Sequence, residues 1–252
     1  MFKKFIQKIY TNLIFLNFYL SKKKINKFIF IHPPQSGGNT IDYFFKINFG
    51  LRTYKIHDYL DYKIFDFSDE KLKKYFLIFG HFPYEFAFRK IYDQKYYYFT
   101  SIRNPEDRYL SNYYRNKRDE EKKGRKFMSL EEFLKMRIDQ GLDNFYVRYF
   151  SSENIYANNL IEVNENHFQD SLKNLKKLNF IFFLDDMAQN IKEFKKNFRL
   201  FLDMSIFLNL HKNKVSNSTY PKIVEKERRL LQRLTFYDLK LYNEIKKFKK
   251  EK

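Results

Sequence analysis

The chain has 252 residues, 44% of them hydrophobic and 21% aromatic, with 31 Phe and 21 Tyr; that apolar content supports a full core and excludes a disordered chain. It has no Cys, which excludes a disulfide framework and a thiolate metal site. The formal charge of +19 and a pI near 9.7 ask for an anionic partner: a nucleotide, a polyanionic glycan, a nucleic acid or a membrane surface. Phe, Ile, Lys, Asn and Tyr all have AT-rich codons, so a basic residue is weighed only where local chemistry needs one.

Residues 1–26 read as an amphipathic lead-in helix. Gln7, Lys8, Thr11, Asn12 and Asn17 interrupt its apolar run, which falls short of the roughly 20 residues a membrane span needs. Ser21 is followed by Lys22, Lys23 and Lys24 rather than by a small-residue cleavage site. The expectation is a cytoplasmic protein that touches a membrane surface, if at all, through this peripheral helix. No repeat and no Pro/Gly/Ser-rich linker divides the rest of the chain, and residues 27–252 read as one domain.

Residues 27–32 form a short apolar run ending in Pro33-Pro34, as a buried parallel strand does. Gln35-Ser36-Gly37-Gly38 makes a turn, and Asn39 or Thr40 caps a helix carrying Ile41, Phe44 and Phe45. Two further strands are predicted at 75–79, closing on Gly80-His81, and at 96–102, closing on Arg103-Asn104-Pro105. Pro105, Glu106 and Asp107 suit a helix start, and that helix should carry Arg108 and Ser111. The charged stretch 115–126 reads as solvent-exposed, and Ser129-Leu130-Glu131-Glu132 as a capping box opening another helix. A fourth buried strand is predicted at 180–184 with helical patterns on either side, and a long amphipathic helix at about 221–247 closes the chain. Strands alternating with helices predict an α/β fold: a mainly parallel sheet with helices on both faces, binding its ligands at the carboxyl ends of the strands.

The loop Pro34-Gln35-Ser36-Gly37-Gly38-Asn39-Thr40 joins a buried strand to a helix N-terminus, where free amides attract a phosphate and adjacent glycines permit close approach. It lacks the Gly-Lys-Ser/Thr ending of a Walker A loop, which disfavours an ordinary ATPase or GTPase. The second element is Ser101-Ile102-Arg103-Asn104-Pro105-Glu106-Asp107-Arg108-Tyr109-Leu110-Ser111. Its strand-end Arg presents a planar fork to phosphate, and a helical hydroxyl can complete the cradle; read alone, the same Arg fits a surface ion pair with Glu106 or Asp107.

Together these elements resemble the carbohydrate sulfotransferases that use 3′-phosphoadenosine 5′-phosphosulfate (PAPS), including the heparan sulfate 2-O and 6-O enzymes and related bacterial proteins. The first loop is similar to their Pro-Lys-Thr-Gly-Gly-Thr-Ser loop, and residues 103–111 to their Arg-Asp-Pro-x-x-Arg-x-x-Ser element. Gly80-His81-Phe82 falls where the 2-O enzymes have a Gly-His bearing the catalytic base. Asp143-Asn144 through Arg148-Tyr149-Phe150-Ser151, and the tail from Asn213 to Ser216 and on to Tyr237-Asp238 and Tyr242, resemble further blocks; the similarity runs in order from about residue 28 to 248. The resemblance implies a P-loop NTPase-like sulfotransferase fold and transfer of a sulfuryl group to a hydroxyl of a carbohydrate or glycan acceptor. Gln35, Ser36, Gly37, Gly38, Asn39 and Thr40 would bind the 5′-phosphosulfate, and Arg103 and Ser111 the 3′-phosphate. PAPS is the co-substrate and no metal is implied, because a sulfuryl group carries less negative charge than a transferred phosphoryl group.

His81 is the expected general base, since an imidazole titrates near neutral pH. His32 is its nearest rival, while His57, His167 and His211 read as packed or surface residues. The family Lys of the first loop is Gln35 here, which donates hydrogen bonds but brings no charge to the leaving phosphate; Lys46, Arg52 and Lys214 are candidate substitutes. Two other readings stand beside this one: a basic nucleic-acid-binding protein, although no nucleic-acid partner is expected, and an inactive relative that binds nucleotide or glycan without transfer. Neither the acceptor's identity nor the oligomeric state is legible.

Overall fold

The computed structural model describes residues 27–37, 41, 53–56, 75, 77–90, 96–153, 155–198 and 223–251. The predicted lead-in helix lies outside them, as do Gly38, Asn39, Thr40, Lys46, Arg52, His57, His211 and Lys214. In chain order the elements are β1 (Lys27–Ile31), β2 (Thr53–Ile56), β3 (Leu77–Gly80), α1 (Tyr84–Lys90), β4 (Tyr96–Ile102), α2 (Pro105–Glu121), α3 (Leu130–Asp139), α4 (Phe145–Phe150), α5 (Glu165–Lys177), β5 (Phe180–Phe183), α6 (Met187–Phe198) and α7 (Glu225–Glu251). No helix among the described residues is long and apolar enough to cross a membrane.

The described residues fall into two compact units, one within Met1–Phe82, Phe86–Ser101 and Leu178–His211, the other within Pro83–Glu85, Ile102–Lys177 and Lys212–Lys252. The first holds a sheet of order β2-β3-β1-β4-β5. β1 pairs in parallel with β3 and with β4, and β2 pairs in parallel with β3. Strands buried on both faces read as continuous apolar runs, as Lys27–Ile31 and Phe180–Phe183 do. β2 was not predicted: Thr-Tyr-Lys-Ile is four residues of mixed polarity at the sheet's edge, and an edge strand needs no continuous apolar run.

Strand alternation sorts the sheet's side chains onto two faces. Phe28 and Phe30 of β1, Leu77 and Phe79 of β3, Phe99 of β4, and Phe180 and Phe182 of β5 share one face, where they pack with Ile41 and with Ile191 and Phe194 of α6. On the opposite face Phe88 of α1 lies 4.7 Å from the Tyr98 ring. Helices therefore cover both faces, as predicted. Asn179 sets β5 beside β4: its side-chain oxygen accepts from the Tyr98 amide and its own amide donates to the Tyr98 carbonyl.

The second unit is helical. α2 begins where predicted, with the Asn104 side chain accepting from the Glu106 and Asp107 amides and Pro105 in the first turn. The Ser129/Glu132 capping box forms in both directions and starts α3. Tyr109, Leu110 and Tyr113 of α2, Phe133 and Leu134 of α3, and Leu231 and Leu234 of α7 make its core. α4 is a single short helix inside a stretch that carries no helical period in the sequence.

Candidate functional site

In the sheet unit the chemistry collects where the three central strands end. Ile31 lies beside Gly80 on one side and Thr100 on the other, so the next residues along, His81, His32 and Ser101, form a row across β3, β1 and β4. Each stands two positions beyond a core Phe (Phe79, Phe30, Phe99), and alternation puts all three on that Phe face. The row keeps strand geometry past the last assigned residues: the His32 amide donates to the Gly80 carbonyl at 3.0 Å, and the two imidazole centroids are 4.6 Å apart. β1 leads to β2 on one side while β4 leads to β5 on the other. The carboxyl edge between β1 and β4 is thus a topological switch point, where open parallel sheets bind ligands.

The turn after β1 starts at this edge. Gln35 has φ 66° and Gly37 has φ 82°, whereas Ser36 between them does not have a positive φ. Alternation of φ sign turns successive amides toward one side of the chain and makes an anion-binding concavity. A non-glycine residue at positive φ is uncommon and costly, so the conformation at Gln35 is imposed by the loop rather than chosen by the residue. Ser36 is fully buried. Gly37 has a second reason to be glycine: a Cβ there would fall 2.5 Å from Leu184 Cδ1 and 3.4 Å from Met187 Cε. The Ile41 amide donates to the Gly37 carbonyl, an i to i−4 bond of the helical kind. Of the predicted loop residues, Gln35, Ser36 and Gly37 are placed here; Gly38, Asn39 and Thr40 lie outside the described residues.

His81 Nδ1 is 2.9 Å from the His32 carbonyl oxygen. A carbonyl only accepts, so Nδ1 carries the proton in the neutral ring and Nε2 is the basic nitrogen. That tautomer is what a general base needs. Next to the row, the Thr100 hydroxyl donates to the Ile31 carbonyl at 2.6 Å and locks β4 to the end of β1. His167, by contrast, is a packed residue as predicted: its Nδ1 accepts from the Asn164 amide and its Nε2 is 3.3 Å from Glu153.

The second unit carries Arg103 and Ser111, both half-buried. Arg103 directly follows β4 and precedes the Asn104 cap; Ser111 sits between one and two turns into α2, three residues beyond Arg108 and so on the same face. The Arg103 backbone is held by a residue the motif reading missed: its amide donates to the Tyr146 hydroxyl at 3.0 Å. Tyr146 belongs to α4, whose first amides, of Tyr146 and Val147, donate to the buried Asp238 carboxylate of α7. Asn144 completes the joint, giving its amide to the Leu234 carbonyl and accepting from the Tyr237 amide through its side chain.

Burial raises the Asp238 carboxyl from 3.8 to about 7, with the two amides and Arg108 pulling it back. Burial likewise pushes the Tyr109 phenol up. The Arg108 guanidinium is itself buried and lies 3.2 Å from the Phe145 ring centroid, a cation–π stack. Arg148 donates to the Asp143 carboxylate and carbonyl and to the Ile155 carbonyl, bracing the far side of α4. The blocks around 143–151 and 237–242 therefore form one scaffold beneath Arg103, and their sequence signal was the resemblance alone.

No family model and no curated protein matches the chain. Among solved structures it is similar to a sulfotransferase from Alicyclobacillus acidocaldarius, at 13% identity over 86% of this chain and 92% of that one, with a TM-score of 0.45. It is also similar to mouse sulfotransferase SULT7A1 complexed with PAP, at 11% identity over 83% of this chain and 75% of that one, with a TM-score of 0.44. Likenesses this distant do not bear on the site, which rests on the chain's own residues.

Proposed function

We propose that the protein is a PAPS-dependent O-sulfotransferase with a carbohydrate hydroxyl as acceptor. The observation that carries this reading is the edge of the sheet: a turn of alternating φ sign after the central strand, its Gly37 carbonyl accepting from the Ile41 amide, beside a histidine whose Nδ1 proton is committed to a carbonyl. The turn supplies fixed amides for the 5′-phosphosulfate. Arg103 and Ser111 would read the 3′-phosphate, which the Arg-Asn-Pro motif supports. The acceptor oxygen attacks sulfur in line while its proton passes to His81 Nε2. The bond between sulfur and the bridging oxygen breaks, and its electron pair leaves on the 5′-phosphate of 3′-phosphoadenosine 5′-phosphate (PAP). A carbohydrate acceptor follows from the ordered motif resemblance.

Gln35 favours one competing reading, a relative that binds nucleotide without transfer, because an amide brings no charge to the leaving phosphate. Turnover of labelled PAPS against a panel of glycans separates the two. Donor recognition is tested by calorimetry. PAP should bind the wild type much more tightly than AMP, since charged hydrogen bonds to an anion contribute on the order of 1.5 to 3 kcal/mol each, and Arg103→Ala should erase that preference. Equal affinity for AMP and PAP in the wild type would overturn the assignment.

A further inference from the structure

Ser101 is fully buried, and among the described residues its hydroxyl has no hydrogen-bond partner. A buried hydroxyl left unsatisfied is costly, and native structures keep few of them without a reason. Thr100, its neighbour, spends its hydroxyl on the Ile31 carbonyl. Ser101 has the opposite pleat and stands on the Phe99 face beside His32.

The path of the 33–37 turn explains what lies above Ser101. The turn leaves β1 at His32 and reaches Leu184, just beyond β5, where Gly37 packs against the Leu184 side chain. In the sheet, β4 lies between β1 and β5, so the turn crosses the carboxyl end of β4, where Ser101 is the last residue on that face. Ile41, just past the turn, and Met187, which the turn also approaches, pack on the same face. The turn's anion cradle and the orphan hydroxyl thus share one side of the sheet edge.

We infer that Ser101 is an anion-binding residue, its Oγ–H donating to the phosphate group held by the amides of the 35–37 turn. Resting on the donor reading above, this adds to the predicted loop a contact from a different strand. The hydroxyl is positioned by β4 rather than by the loop itself, so it would fix the anion's place relative to the His32 and His81 edge.

The test is Ser101→Ala, read by calorimetry with PAP and with inorganic pyrophosphate, whose bridged diacid form resembles a phosphosulfate, together with a ligand-free melting curve. The expected result is roughly ten- to hundredfold weaker binding of both ligands, with a melting temperature unchanged or raised because an unsatisfied hydroxyl has been removed. Unchanged affinity for both would overturn the inference, the hydroxyl being satisfied by water alone. Weaker binding with a matching fall in melting temperature would also overturn it, by making Ser101 structural. A wild type that binds pyrophosphate but does not prefer PAP defeats the donor reading while the Ser101→Ala comparison on pyrophosphate still decides this one. A wild type that binds neither ligand overturns both.

Discussion

Gly37→Ala tests the geometry of the turn most directly, because two independent penalties converge on one methyl group. At φ 82° an L-residue is strained by about 1 to 2 kcal/mol. The new Cβ would also sit 2.5 Å from Leu184 Cδ1, which is the far end of a side chain and can swing aside at the cost of an off-rotamer angle, about 0.5 to 1.5 kcal/mol. The expected loss is therefore about 1.5 to 3.5 kcal/mol in urea unfolding. Leu184→Ala removes the second penalty but not the first, so the double variant should be more stable than the sum of the singles predicts by about 0.5 to 1.5 kcal/mol. Gln35→Gly relieves positive φ without adding an atom and should be neutral or stabilising by up to about 1 kcal/mol. A loss below about 0.5 kcal/mol for Gly37→Ala would refute this account of the turn, and strict additivity with Leu184→Ala would refute the contact.

The remaining perturbations address the chemistry and its scaffold. His81→Ala should lower single-turnover transfer by roughly 10² to 10⁴-fold with PAP affinity nearly intact; activity within about threefold of wild type would reject it as the base and make His32 the residue to examine. Gln35→Lys should raise the transfer rate by placing charge on the leaving phosphate, and a flat or lower rate would show that another group already supplies it. Asp238 has a folded-state pKa of about 7 against 3.8 unfolded, so between those values the folded protein holds a proton that the unfolded chain has lost. Stability from this group therefore falls as pH rises through that window and levels off above about 7. Asp238→Asn keeps one acceptor but turns a donor toward the Tyr146 or Val147 amide, costing about 1 to 3 kcal/mol. Its deficit against wild type should be larger at pH 5 than at pH 8 in urea unfolding, and a deficit that grows with pH would contradict the burial of a protonated carboxyl.

How much of this was legible depended on how far apart in the chain the interacting groups lie. Local signals read true: the apolar runs of β1, β4 and β5, the Pro105-Glu106-Asp107 start of α2 and the capping box at Ser129 are each written within a few residues. β2 escaped because an edge strand of four mixed residues has no signature of its own. Tyr146 and Asp238 lie in blocks that the resemblance marked, but their roles escaped: the bonds that make them matter join residues 43 and 92 positions apart, and nothing in a linear pattern says which hydroxyl will meet which amide.

The row at the sheet's edge is an intermediate case, since its members are 49 and 69 residues apart in sequence by the pairs His32/His81 and Ile31/Thr100, yet each strand repeats the same local phrase. Phe30-Ile31-His32, Phe79-Gly80-His81 and Phe99-Thr100-Ser101 all place a polar residue two positions after an aromatic at the end of an apolar run. Alternation alone requires that polar residue to share a face with the aromatic before it. Once the three aromatics are taken as one core, the three polar residues must lie together at its rim, whichever order the strands adopt. The clustering was therefore implicit in the sequence, and only its register, with His32 between His81 and Ser101, required the folded chain. That register gives the unsatisfied Ser101 hydroxyl its meaning, because it places Ser101 on the side of β1 over which the turn passes on its way to Leu184.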